Sequence, residues 1–153
     1  MKNIQFLLSI TLVANLLFVS CEDDDNQDNT KPTVTELEVG HDGEAHIGEA
    51  LHLEFYVEDN DLLDYYSVEI HGGEEGQEES EITGWKYEEE FTEIRNKKNY
   101  TVHHHGIMIP ETVEEGEYHF HLRVVDMSGN VTEIEEHLHA THEEVEDDHD
   151  HVE

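Results

Sequence analysis

Gly116-Glu117-Tyr118-His119-Phe120-His121-Leu122-Arg123-Val124-Val125-Asp126-Met127-Ser128-Gly129-Asn130-Val131-Thr132-Glu133-Ile134-Glu135-Glu136-His137-Leu138-His139-Ala140-Thr141 decides how this chain folds. In its first half Tyr118, Phe120, Leu122 and Val124 are apolar, and His119, His121 and Arg123 stand between them. Strict alternation of this kind describes a half-buried strand over Tyr118–Val125, because successive side chains point to opposite faces. Met127-Ser128-Gly129-Asn130 is turn chemistry. The pattern then resumes over Val131–Thr141, with Ile134, Leu138 and Ala140 inward and Glu133, Glu135, His137 and His139 outward.

Both inward sets are even-numbered, so opposed residues must sum to an even number. A three-residue loop over Ser128, Gly129 and Asn130 sets His121 opposite His137, His119 opposite His139 and Arg123 opposite Glu135. Opposed Cβ atoms lie about 4.5–5.5 Å apart. Four imidazoles then share one outward patch. A tetrahedral zinc ion takes nitrogen ligands at about 2.0–2.1 Å, and Cu(II) and Ni(II) also accept imidazole. The bland alternative is that outward positions are polar by default and tolerate His.

Outward from this hairpin, the chain reads as short β-rich runs with turn signals between them. Thr33–Val39 is one. Leu51–Val57 alternates, with Leu51, Leu53, Phe55 and Val57 on the apolar face. Asp64–His71 follows, with Tyr66, Val68 and Ile70 inward; Trp85–Phe91 and Tyr100–Ile109 complete the set, the latter stopped by Pro110. About seven strands at this spacing predict an all-β, Ig-like antiparallel sandwich. A lone cysteine excludes the disulfide of true Ig domains.

The 153 residues carry 7 Lys+Arg, 40 Asp+Glu and 14 His, a formal charge of −33. That balance excludes a nucleic-acid binder, which needs a positive footprint, and charge-driven adhesion to an anionic membrane. Acids and His with almost no competing Lys describe a surface rich in metal-ligand atoms. Catalysis has no support: no phosphate-cradling loop, no Ser-centred elbow and no cysteine nucleophile follow Cys21, and no catalytic residue is assigned.

Lys2 followed by the apolar run Ile4–Val19 reads as a secretory signal over residues 1–20. Phe18-Val19-Ser20-Cys21 resembles a lipobox, which makes Cys21 the lipidation site. The Glu22-Asp23-Asp24-Asp25 run behind it resembles the surface-export signal of Bacteroidetes-type lipoproteins. Residues 21–31 are then an acidic linker, 32–141 the sandwich and 142–153 a disordered His/Asp/Glu tail. Val57-Glu58-Asp59-Asn60-Asp61 with Tyr66-Ser67-Val68-Glu69-Ile70 resembles a strand corner of bacterial Ig-like and cadherin-like modules. Arg123–Val131 resembles their final hairpin. The layout as a whole, with His103-His104-His105 and Gly116-Glu117-Tyr118-His119-Phe120, is similar to a Bacteroidetes-type lipoprotein family whose domain is of unknown function. The resemblance spans roughly residues 30–140. It implies a lipid-anchored, surface-exposed outer-membrane protein but carries no settled activity; the expected partners are metal ions and an outer-membrane transporter or surface complex.

Further ligand candidates lie outside the hairpin. His103 and His105 share a face and His104 takes the other. His71 approaches the patch if its strand joins the same sheet. His41 and His46 flank Asp42 and Glu44. The tail carries His149 and His151, and His/acid tracts bind metal by composition. Calcium is the competing ion, with Glu58, Asp59, Asp61, Asp64 and Asp126 as oxygen ligands of the right type. The expectation is therefore a surface lipoprotein that captures or buffers transition metal, zinc first, with capture weakening below a pH of about 6.5 as imidazoles protonate. The alternative is a non-catalytic interaction or adhesion module, calcium-stabilised, with Tyr56, Tyr65 and Trp85 as contacts.

Overall fold

In the computed structural model, residues 28–73 and 84–142 are described. Eight strands form there: β1 Thr33–Val39, β2 Glu44–His46, β3 Leu53–Glu58, β4 Leu63–Gly72, β5 Lys86–Phe91, β6 Asn99–His104, β7 Gly116–Asp126 and β8 Val131–Thr141. They make a three-stranded sheet, β1-β3-β6, and a five-stranded sheet, β2-β8-β7-β4-β5. The predicted all-β sandwich is the fold.

The alternating apolar positions meet in one core. Phe55, Val57, Tyr66, Val68, Ile70, Phe120 and Val124 are fully buried. The Phe55 ring meets Tyr66 edge-on at 5.2 Å, joining the sheets, and Phe91 stacks on Tyr66 at 5.0 Å. Buried aromatics at these spacings contribute beyond their area. The Tyr66 hydroxyl donates to Glu93 Oε1 at 2.6 Å, so the buried phenol keeps a partner. Burial first, then this bond and the Glu93 charge, push its ionisation well above the usual tyrosine range.

Three details differ from the sequence expectation. β2 is an additional short strand and pairs parallel to β8, Glu44 with His139 and His46 with Thr141. Three residues, two of them polar, carry too little periodicity to be read as a strand. β6 ends at His104 instead of Ile109, because Ile107 and Ile109 leave β3's partner position and bond the loop ahead of β3. Ile107 O accepts from Leu51 N at 2.7 Å, and Ile109 N donates to Glu49 O at 2.9 Å.

The third difference is the β7–β8 register. Val125 pairs with Val131, so the turn centres on Ser128 and not on Gly129. His119 therefore faces His137, His121 faces Glu135, and Glu117 faces His139. The Asp126 carboxylate selects this turn: Oδ1 accepts from Ser128 N at 2.9 Å and Asn130 N at 2.7 Å, and Oδ2 from Asn130 Nδ2 at 2.7 Å. Gly129, at φ +87°, supplies the left-handed residue that closes it.

Candidate metal centre

The outer face of the five-stranded sheet is built in rows. β4 presents Ser67, Glu69 and His71 outward because Tyr66, Val68 and Ile70 are buried beneath it. Pairing then aligns His137, His119, His71 and Lys86 across β8, β7, β4 and β5. The adjacent row is Glu135, His121, Glu69 and Glu88. His71 thus joins the patch through the β4–β7 ladder, as its sheet membership required.

The rings pack closely. His71 stacks on His121 at 5.2 Å and lies 5.5 Å from His119; His119 lies 5.2 Å from His137. His71 Nε2 and His121 Nε2 stand 3.2 Å apart. His71 Nδ1 is 3.3 Å from Gly72 O, a carbonyl that can only accept. A hydrogen bond to that carbonyl requires the proton on Nδ1, the tautomer that leaves the Nε2 lone pair of His71 facing His121. Two nitrogens held by one tetrahedral zinc stand about 3.3–3.4 Å apart. Glu69, Glu88 and Glu135 line the groove into which the pair opens. Lys86 reaches Glu69 at 3.3 Å and Glu88 at 3.6 Å, holding both carboxylates on this face.

The expected four-imidazole set changes in membership. His119, only 7% exposed, is engaged at both nitrogens, with Glu135 Oε1 at 3.0 Å and Gly73 O at 3.2 Å. It buttresses the pair instead of adding a third converging nitrogen. His139 sits a row away, Nδ1 to Glu117 Oε1 at 2.9 Å. His137 contributes ring contact with His119. The cause is the two-step shift of register described above, which kept every face and changed every partner.

His103 and His105 belong to the opposite face, because β6 pairs with β3 in the other sheet. His103 Nδ1 bonds Glu54 Oε2 at 2.9 Å. His105 packs at 5.2 Å on His52, which stacks on His41 at 5.3 Å. His52 precedes β3 opposite its apolar positions, and β3–β6 pairing brings it to these rings. His104 turns inward onto Phe91 at 4.3 Å. His149, His151 and Cys21 lie outside the described residues.

The acidic candidates divide as well. Asp64 binds Arg95 Nε at 2.7 Å, and Glu58 accepts the Tyr56 hydroxyl at 3.1 Å. Asp61 uses its backbone N–H on Asp59 Oδ1. Asp59 and Asp126 instead meet Asp28, with one oxygen of each within 4.8 Å of the others. Asp28 had no sequence signal beyond belonging to an acidic linker. The proposed aromatic contacts are mostly occupied: the Tyr65 hydroxyl accepts from Arg123 at 2.9 Å, and Trp85 packs edge-on against Tyr118 at 5.9 Å.

No curated protein sequence matches the chain. Among solved structures, Spo0M, sporulation control protein, from Bacillus subtilis is similar at 8% identity with a TM-score of 0.41. That match covers 72% of this chain and 49% of Spo0M, so the chain spans about half the length of that protein. Residues 19–141 match the family described as Domain of unknown function (DUF4625), and the chain belongs to that family.

Proposed function

We propose that the protein is a non-catalytic module that binds transition metal, zinc first, at the His71–His121 pair. The observation that carries this reading is the 3.2 Å approach of two Nε2 atoms, one of them oriented as a lone-pair donor by its Nδ1–H on Gly72 O. A ligating imidazole whose other nitrogen donates to a carbonyl is the usual outer arrangement of a metal site. Water would fill the remaining coordination positions, in a groove that Glu69 and Glu88 also line. Cu(II) and Ni(II) compete for the same donors.

The site is open and on a sheet face, which suits capture and release better than permanent structural binding. With Cys21 as a lipid anchor and the acidic run after it as an export signal, the module stands at the outer-membrane surface and buffers or hands metal to a transporter or surface complex. Sequence supports that location through the lipobox-like Phe18-Val19-Ser20-Cys21.

Zinc titration of the chelator-treated full chain by calorimetry tests the proposal, in a background with His149→Ala and His151→Ala so that the tail does not compete. Binding with Kd tighter than about 100 μM at pH 7.5 is expected, weakened at least about tenfold by His71→Ala or His121→Ala. Affinity unchanged in the double variant overturns it.

A further inference from the structure

The five-stranded sheet leaves one edge largely uncovered. β8 runs over Val131–Thr141, but β2 pairs only with residues 139–141 of it. His139 N donates to Gly43 O at 2.8 Å, and Thr141 O accepts from Ile47 N at 2.8 Å. The odd-numbered residues of β8 therefore turn their backbone groups to this side. At Glu133, Glu135 and His137 those groups meet no strand among the described residues. An edge of unpaired amides and carbonyls is a template for a further strand. We propose that residues 133–137 of β8 take an extended, cationic segment of another protein as an added strand, with one Lys or Arg of that segment seated in the cavity between this edge and β1.

The cavity is a second, independent observation. It holds about 260 Å³, with Leu37 and Val39 on one side and the carboxylates of Glu38, Asp42 and Glu136 around it. That is room for one long side chain, whose methylene stem lies on the apolar pair while its charged head meets the acids. Among the described residues, no ion pair with Lys or Arg reaches Glu38, Asp42 or Glu136. Glu136 stands on the core-facing side of β8, opposite Phe120, and yet it is exposed. An inward charge on an edge strand blocks pairing with apolar or acidic strands. A cation opposite it removes that block.

Charge decides the occupant. Glu133, Glu135 and Glu136 stand on the open stretch, and no Lys or Arg lies on β8. Two copies joined edge to edge through β8 would set these acids against each other. Nor does the rest of the chain hold a cationic strand, since residues 1–27, 74–83 and 143–153 contain a single Lys or Arg, Lys2. The occupant is therefore a segment of a different protein, in which an apolar side chain meets Ile134 and a Lys or Arg meets Glu136 on the same face. In such an addition the backbone bonds give affinity and the pocket gives selectivity. The cavity shares no lining residue with the groove of the His71–His121 pair, so this docking does not rest on metal binding.

Fluorescence anisotropy of a labelled octapeptide repeating threonine, valine, threonine, arginine tests the site, titrated with the full chain in chelator and about 0.15 M salt, which screens long-range attraction. Binding with Kd tighter than about 500 μM is expected, together with slowed hydrogen exchange at the Glu135 and His137 amides. Glu136→Lys should weaken it at least about tenfold, while Glu90→Lys, the same change of charge on β5, leaves it within about twofold. Both side chains are exposed, so both variants fold. Equal loss in the two variants means diffuse attraction to an acidic surface and overturns the site. So does undiminished binding of a peptide with proline in place of threonine, which cannot pair as a strand, and so does an absence of binding. His71→Ala/His121→Ala should leave the peptide affinity unchanged, so the failure of the metal site and of this one are read separately.

Discussion

His71 Nε2 and His121 Nε2 approach to 3.2 Å although the two residues are not opposed in the ladder, where His71 faces His119 and His121 faces Glu69. The contact is diagonal, made by two rings stacked within 18° of parallel across β4 and β7. A diagonal pair is specified by strand pairing and ring rotation together, so it has no signature in the spacing of either strand.

That geometry predicts an unequal response among histidines that look equivalent in sequence. Replacing His71 or His121 by Ala should weaken zinc binding at least about tenfold, and His139→Ala should leave it within about twofold. His119→Ala should act indirectly, because it removes the ring that holds His71 in place. Competition against a chromophoric chelator ranks the four variants.

Asp126→Ala should destabilise the fold by about 2–4 kcal/mol. It strips the acceptor from Ser128 N, Asn130 N and Asn130 Nδ2 at once, in a site 1% exposed. Urea unfolding with chelator present measures this separately from any bound ion. Asp126→Asn, which retains one acceptor oxygen, should lose less.

Tyr66 predicts an alkaline loss of stability. Its folded-state ionisation is raised above the ordinary value of 10.0, chiefly by burial and then by Glu93. The folded protein therefore keeps a proton that the unfolded chain gives up, and the stabilisation is complete below about pH 10 and declines as pH rises beyond it. Tyr66→Phe should cost about 1–2 kcal/mol at neutral pH through the lost bond to Glu93, and flatten that decline. Tyr87, shifted the same way by burial and Glu89, leaves part of the slope in place. Melting temperatures between pH 8 and 11 check the sign.

Two glycines should respond very differently to the same change. A Cβ on Gly40, at φ +66°, would meet Glu44 O at 2.1 Å, a backbone atom held in the turn between β1 and β2. Gly40→Ala should cost more than about 3 kcal/mol or prevent folding. Gly129 also has positive φ, but a Cβ there meets nothing within 4 Å. Gly129→Ala should therefore cost only the backbone strain, about 1 kcal/mol. Denaturant midpoints of the two variants test the contrast.

The faces of the strands were legible from alternation alone. Leu51, Leu53, Phe55 and Val57 point inward as their spacing requires, as do Tyr118, Phe120, Leu122 and Val124. The reason is that burial of one face constrains a strand with period two. The same period explains what stayed hidden. Sliding β8 by two residues keeps every apolar side chain inside, so hydrophobicity fixes the register only as even or odd. The choice between His137 and Glu135 as the cross-strand neighbour of His121 fell to the Asp126 carboxylate and its turn.

By itself, then, the sequence determined the two-layer β architecture, the inward residues and the outward placement of His71, His119, His121 and His137. These follow from local period and turn chemistry. Only the tertiary structure decided which of them touch, that His103 and His105 belong to the opposite face, and that Asp28 joins Asp59 and Asp126 across the two turns. Those outcomes depend on pairing between strands distant in the chain, where free energy is set by contacts that no local pattern encodes.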